Sequence, residues 1–520
     1  MNLLRSATTV GGYTMMSRVL GFVRELLIAA FLGTGPVADA FFAAFRFPNL
    51  FRRLFAEGAF NAAFVPLFAK ELEGGGREQA KTFANQVLAV LLVALLALTA
   101  LAELFMPFLV EWIIAPGFAG DPQKFDLTVL LTRIMFPYLL CMSLVAMLSG
   151  VLNSFGKFAA AAFAPVILNI VIIGALTGAW LMGAVEQRNV GLVMSWAVCV
   201  SGGLQLLLLL AALKRSDFSL SFARPRLTPS VKRLLVLAVP AALAGGITQI
   251  NLLIGQIIAS QKAGVIATLQ FADRIYQLPL GVVGIAIGVA LLPNISRKLR
   301  AEDVAGVDES QNRALELSML LTVPAAIGLM ALPYPVVQVL FERGQFVSSD
   351  TQATAAALIA FAIGLPSFVL IKVFSPGFFA REDTRTPMIY AGIGAATNVA
   401  GSLLLFPVYS QVGIALATSA AGWINAALLG ITLANRGHYS PDSRLKRSFP
   451  LMLLAALVMG ATLAGAMLWA NMLFTADWNL AIRIVTLLGL IALGAIVYFA
   501  LCRLFGILRM SELKAAFGRA

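Results

Sequence analysis

Residues 39–68 read DAFFAAFRFPNLFRRLFAEGAFNAAFVPLF. Stripped of charge the stretch would pass as a membrane helix, yet Arg46, Arg52, Arg53 and Glu57 stand among its phenylalanines, leucines and alanines. The rest of the chain decides how to read it. The protein is 60% hydrophobic and 12% charged, against about 25% charged residues in soluble domains. It must hide its apolar surface in a bilayer, in spans of about 20 residues. The predicted fold class is therefore all-α and polytopic.

Working outward from that block, fourteen spans are expected, at about 8–33, 45–69, 82–107, 128–153, 159–182, 189–213, 232–259, 267–296, 313–332, 351–379, 386–408, 411–435, 449–471 and 481–505. The connections are short, and the stretches 107–127 and 333–350 read as the longest external loops. The N-terminal apolar run is interrupted by Arg18, Arg24 and Glu25 and lacks a cleavage box, so it reads as a first span and not as a cleaved signal.

The net charge of +13 could suggest nucleic acid, but its distribution excludes that partner. Of the 38 basic residues, 25 fall in the N-terminus, the even-numbered loops and the C-terminal tail, and 6 (Lys124, Arg133, Arg188, Lys262, Arg343, Arg483) in the odd-numbered loops and span edges. The positive-inside rule then places both termini in the cytoplasm. Cys141, Cys199 and Cys502 lie far apart in apolar segments, and His438 is the single histidine. No disulfide, metal site or cofactor is expected, and histidine-based catalysis has almost no material.

The chain also carries a repeat. RFPNLF… from Arg46 aligns with RIYQLP… from Arg274, Pro66 with Pro293, Gly150 with Gly377, Asn169 with Asn398 and Val190 with Val412, at shifts of 222 to 229 residues. Six spans separate the copies, so each helix keeps its direction and the repeat is parallel. The domain reading is a six-helix lobe at 1–215, a cytoplasmic linker at 216–231, a second six-helix lobe at 232–436 and two extra helices at 449–508. Interior prolines Pro137, Pro165, Pro240, Pro279, Pro324 and Pro366 suit bent helices lining a cavity.

Seven cations (Arg18, Arg24, Arg46, Arg52, Arg53, Arg274 and Lys372) and four acids (Glu25, Asp39, Glu57 and Asp273) fall inside or against apolar segments. A charge near mid-bilayer costs at least about 3 kcal/mol on insertion scales, so it tends to mark function. Arg18 and Glu25 share a face at i, i+7; Arg46, Arg53 and Glu57 share one at i, i+7, i+11. Arg46 can instead snorkel to the interface, and Arg53 with Glu57 can form a plain ion pair at i, i+4. Asp39 can clamp Arg24 as a gate or strut. An excess of guanidinium groups suits a cargo with phosphates, which they bind through paired hydrogen bonds.

The motifs SRVLGFVREL, ADAFFAAFRFPNLFRRLFAEGAFNAAFVP, APGF, ADRIYQLP and SPGFFAREDTRTP resemble the MurJ (MviN) family, bacterial lipid II flippases of the multidrug/oligosaccharidyl-lipid/polysaccharide exporter superfamily. The resemblance covers nearly the whole chain. It implies a transporter, not an enzyme, in the bacterial inner membrane. It would carry lipid II (an undecaprenyl pyrophosphate glycolipid) to the outer leaflet for peptidoglycan synthesis, with membrane lipids and cell-wall synthesis proteins as partners. It implies cavity arginines at Arg18, Arg24, Arg52 and Arg274, acids at Asp39, Glu57 and Asp273, and a tail groove beside spans 13 and 14. Arg53 and Glu25 join the counter-ion and gating set. Gln277 stands where some relatives have an acid, and spans 11 and 12 offer Asn398, Ser402 and Thr418 but no carboxylate for sodium. The coupling ion stays open.

Rival readings are separable. A drug or cation antiporter needs an acid-dominated cavity. A capsule or O-antigen flippase shares the diphosphate, and the motif at 39–68 alone favours lipid II over it. A glycosyltransferase or ligase needs a large external loop or an acid and histidine cluster, and Asp121 and Asp126 read as solvated loop charges. A scaffold would tolerate loss of the buried arginines.

Overall fold

A computed structural model describes residues 3–53, 60–474 and 479–507, and among them every regular element is helical. In chain order these are α1 (Leu3–Leu32), α2 (Pro36–Arg52), α3 (Phe60–Leu104) and α4 (Met106–Leu109). A π-helical turn (Val110–Ile114) and a 3₁₀ turn (Pro116–Gly120) lead into α5 (Pro122–Met135), α6 (Tyr138–Ser154), α7 (Ala159–Leu181) and α8 (Gln187–Lys214). Then follow α9 (Pro229–Ala259), α10 (Val265–Arg300), α11 (Val304–Ala331), α12 (Pro333–Phe341), α13 (Ser348–Phe379), α14 (Arg385–Tyr409) and α15 (Gln411–Asn435). Last come α16 (Ser443–Ala470), a 3₁₀ turn (Asn471–Phe474) and α17 (Leu480–Leu504).

Ten stretches among the described residues are long and apolar enough to cross a membrane: those of α3, α5 with α6, α7, α8, α11, α13, α14, α15, α16 and α17. The chain is thus an all-helical, multi-span protein. Helices α1, α2, α9 and α10 lie outside the ten.

Local chemistry sets the ends and breaks. Side chains of Asp121, Thr228, Asp303, Asp442 and Asn479 accept backbone N–H bonds at the starts of α5, α9, α11, α16 and α17, each such cap being worth about 1 kcal/mol. The continuous run of α3 holds one non-helical residue, Gly76, at φ 70° and ψ −169°, a backbone state that glycine adopts without a Cβ clash. This break separates the expected second and third spans. Pro137 sits at the junction of α5 and α6, while Pro165, Pro240, Pro279, Pro324 and Pro366 lie inside helices. The stretches expected as loops are folded: 107–127 into α4, the two turns and the start of α5, and 333–350 into α12 and the start of α13.

The chain packs as two units. The first comprises Met1–Ala267 with Arg343–Phe346, the second Thr268–Glu342 with Val347–Ala520. The packing division therefore falls after the start of α10. The reason is local: α9 packs on α3, and Gln256 near its end donates to the carbonyls of Ile114 (2.8 Å) and Ala43 (3.4 Å). In the first unit α3 packs on α6, α6 on α8 and α7 on α8; in the second α11 packs on α13, α13 on α15 and α14 on α15. Helices α16 and α17 join the core of the second unit through Met452, Ala455, Met459, Leu487, Leu490 and Tyr498.

Candidate functional site: buried charges of α1, α2 and α10

Burial rises along α1. Arg18 is exposed, whereas Arg24 and Glu25 keep 7% and 1% of their surface, next to the core residues Ile28, Ala29 and Leu32. Arg18 and Glu25 share a helical face, yet depth along the helix and not face decides which is covered. The Arg24 guanidinium donates to Glu25 Oε1 at 2.8 Å and to Asn169 Oδ1 on α7 at 2.9 Å. The Asn169 amide is itself oriented by donating to Ser17 O at 2.9 Å and Pro165 O at 3.3 Å. Burying a charge is tolerable only when it is paired and hydrogen-bonded, and these partners supply both. A guanidinium has five N–H donors, and Nε of Arg24 has no hydrogen-bond partner among the described residues. The result is a fixed cation with hydrogen-bonding capacity to spare.

On α2 the Arg52 Nε–H donates to Asn49 Oδ1 at 2.8 Å. Arg52 is half-buried and Arg53 exposed, as the 100° step between neighbours on a helix dictates. Arg46 is half-buried. Glu57, expected as a counter-ion on the same stripe, lies outside the described residues.

Asp39 is fully buried and is not on Arg24. Lys124 Nζ donates to its Oδ2 at 2.7 Å, Gly264 N–H donates to the same oxygen at 2.7 Å, and Ala267 N–H donates to Oδ1 at 3.0 Å. A carboxylate from α2 thus caps the first turn of α10, where the helix dipole favours negative charge. Lys124 keeps 6% of its surface and sits 3.9 Å above the Phe118 ring. The clamp expected between Asp39 and Arg24 is replaced by a strut to Lys124, because the carboxylate is already enclosed by the starts of α5 and α10. Around this strut Gly117 N–H donates to Ser260 Oγ at 3.0 Å, so the APGF segment meets the end of α9.

Asp273 and Arg274 are half-buried on α10 in the second unit, and Gln277 donates to Asp273 one turn away. The residue that replaces the expected acid therefore serves the neighbouring carboxylate. Asn169 accepts from Arg24, while Asn398, the residue aligned with it in sequence, accepts from Thr418 Oγ1 at 3.0 Å. Lys372 is exposed.

Three partners of these charges escape a reading by composition: Lys124, which reads as a loop residue, and Asn169 and Asn49, which carry no charge to draw attention. The available signals are weak: a buried Asp39 demands a cation, and Asn169 is a polar residue in an apolar span. Among the described residues no group of three or more histidine, cysteine, aspartate or glutamate side chains is gathered for a metal.

Comparison with known proteins places this arrangement. The family model described as "Lipid II flippase MurJ" matches residues 28–489. A relative from Rhizobium meliloti (strain 1021), "Probable lipid II flippase MurJ", is 52% identical over 507 residues, covering 98% of this chain and 94% of the relative. "Lipid II flippase MurJ" of Burkholderia cenocepacia is 36% identical over 526 residues, covering 100% of this chain and 99% of that protein. The solved structure "Lipid II flippase MurJ, inward closed conformation" superposes with a TM-score of 0.78 at 26% identity, covering 95% of this chain and 98% of that one. An inward-facing multidrug resistance MATE transporter shares the fold at a TM-score of 0.65 and 14% identity, over 83% of this chain and 98% of that one. By a family match running from the end of α1 into α17, this chain belongs to the lipid II flippase MurJ family.

Proposed function

We propose that this protein moves lipid II, the undecaprenyl pyrophosphate-linked peptidoglycan precursor, from the cytoplasmic to the periplasmic leaflet of the bacterial inner membrane by alternating access. The single observation that carries this reading is the family match over residues 28–489. The protein is a transporter and not a catalyst, and its partners are lipid II and the surrounding lipids, with cell-wall synthesis proteins as the class of protein partner.

The finer architecture in this proposal has fourteen spans. Alongside the ten apolar stretches, α1, α9 and α10 each supply one, and α3 supplies two across its break at Gly76, the earlier of them together with α2. The matched pairings α3–α6, α6–α8, α7–α8 and α11–α13, α13–α15, α14–α15 support two parallel six-span lobes, at 1–215 and 232–436, joined through 216–231. The extra pair at 449–508 borders the polyprenyl tail. Both termini are cytoplasmic, following the 25-to-6 bias of basic residues.

In this proposal Arg18, Arg24, Arg52 and Arg274 engage the diphosphate. Asn169 and Asn49 orient Arg24 and Arg52, which supports recognition in a set direction. Glu25 is the resting counter-ion of Arg24, and diphosphate binding competes with it. Asp273, Glu57 and Arg53 complete the gating set, and Asp39 acts through Lys124 and the start of α10.

The test is depletion of the protein followed by measurement of the leaflet that holds lipid II, with accumulation on the inner leaflet expected. Arg24→Ala and Arg274→Ala proteins that fold and reach the membrane should lose translocation. Lipid II that still reaches the outer leaflet at the normal rate on depletion overturns the function. Normal translocation by the variants overturns the arginine assignment alone.

A further inference from the structure

Residues 215–228 connect α8 to α9 without a helix, and both ends of the connection are pinned. Lys157 Nζ donates to Ser216 Oγ at 3.0 Å. Phe218 is buried, its ring 5.1 Å from that of Phe155 and 6.0 Å from that of Phe68. Ser221 exchanges two bonds with the Asn85 amide on α3, at 2.8 and 2.9 Å. At the far end Thr228 donates to Gln86 at 2.8 Å and Ser230 to Glu71 at 3.0 Å.

Between the pins the sequence is FARPRL, residues 222–227. Phe222 is 71% exposed and Leu227 57% exposed, and Arg224 and Arg226 between them are also exposed. Pro225 holds an extended course through the middle, because its ring fixes φ and disfavours a helical Arg224. The first unit thus orders its connecting segment firmly, burying Phe218 while leaving Phe222 and Leu227 uncovered. From Lys214 to Arg233 there are six cations and one acid, Asp217. Large apolar groups interleaved with cations, at the junction of two long apolar helices, match the chemistry of the headgroup boundary of a bilayer.

We propose that residues 222–227 are an interfacial anchor for anionic phospholipid. Phe222 and Leu227 seat at the acyl-chain boundary, and Arg224 and Arg226 engage lipid phosphates in the same leaflet. Charge complementarity selects this occupant: the segment is strongly cationic, and each basic residue near an anionic membrane surface contributes about fivefold to binding. The inference needs membrane residence only and does not depend on the identity of the cargo.

The experiment uses the full chain carrying Phe222→Cys, spin-labelled and reconstituted into nanodiscs of zwitterionic lipid with or without added anionic phospholipid. The unsubstituted protein, labelled in parallel, gives the background from Cys141, Cys199 and Cys502. With anionic lipid present, the label at 222 should be relaxed more by oxygen, which partitions into lipid, than by a water-soluble nickel chelate. Arg224→Ala with Arg226→Ala, or high salt, should move the label toward water. A label equally open to nickel in both lipids overturns the anchor. A label equally deep in both lipids and indifferent to the arginines overturns the anionic selectivity that defines the proposal. Leu227→Cys repeats the measurement should Phe222→Cys fail to fold.

Discussion

The ammonium of Lys124 and the carboxylate of Asp39 meet at 2.7 Å where neither residue keeps more than 6% of its surface. The same carboxylate holds the N–H groups of Gly264 and Ala267 at the start of α10. One buried ion pair therefore sets the entry of a helix that carries Asp273 and Arg274.

Removing one partner of this pair leaves the other charged and uncompensated. Lys124→Met should lower stability by about 3–5 kcal/mol, read as loss of folded protein on denaturation in mild detergent. Combining it with Asp39→Asn should cost less than the two single changes together, by about 0.5–3 kcal/mol. Strictly additive losses would show that the two side chains do not depend on each other.

Arg24 reaches Asn169 through one terminal nitrogen and Glu25 through the other, a rigid planar fork that the single nitrogen of an ammonium does not reproduce. Arg24→Lys should keep the charge and still lower lipid II translocation at least about tenfold. Asn169→Ala should lower it in the same direction, because the guanidinium loses its orientation. The check is translocation at matched membrane levels; a lysine variant as active as the parent would reduce Arg24 to a simple charge.

Gly344 lies at φ 60° and a Cβ there would fall 2.2 Å from the carbonyl oxygen of Ala30, which also accepts from Gln345 N–H at 2.8 Å. Gly344→Ala should destabilise by about 1–3 kcal/mol. Gly183 has a similar φ of 70° and open space around it, so Gly183→Ala measures the backbone cost alone, about 1–2 kcal/mol. The excess at 344 in thermal unfolding reports the contact with the end of α1; equal shifts would mean that the contact is dispensable.

Asp383, in the turn between α13 and α14, accepts from the Thr386 hydroxyl at 2.7 Å, from Thr386 N–H at 2.9 Å and from Arg436 at 2.7 Å. These bonds, Thr386 first, hold its carboxyl down at about 2. A depressed carboxylate stabilises the fold above its unfolded range and loses that contribution as pH falls through its folded value. The melting temperature of Asp383→Asn should therefore lie below that of the parent near neutral pH. The gap should close between about pH 4 and about pH 2. A gap independent of pH would assign the effect to shape and not to charge.

A helical membrane chain is legible in the sequence, and so are most helix positions, since span length and apolar runs are local properties; the span expected at 45–69 matches no single helix, α2 ending at Arg52 and α3 starting at Phe60. The charges in α1, α2 and α10 are legible for the same reason. Lys124 reads as a loop residue and Arg24 as a partner for Asp39, and the fold places both otherwise. Both errors share a cause: helical spacing relates a side chain to its own axis and says nothing of the neighbour across the interface. The folded stretches at 107–127 and 333–350 were missed because short helices and turns carry no span-length signal.

Membrane residence and the presence of charges within apolar helices follow from composition and order alone, because transfer of apolar surface and of charge is set residue by residue; which of those charges are covered is not, since Arg24 is buried and Arg18 and Arg53 are exposed. Partnership is decided only in three dimensions. Asp39 and Lys124 are 85 residues apart and Arg24 and Asn169 are 145 apart. A buried charge must find a partner, but which one it finds depends on how the helices pack.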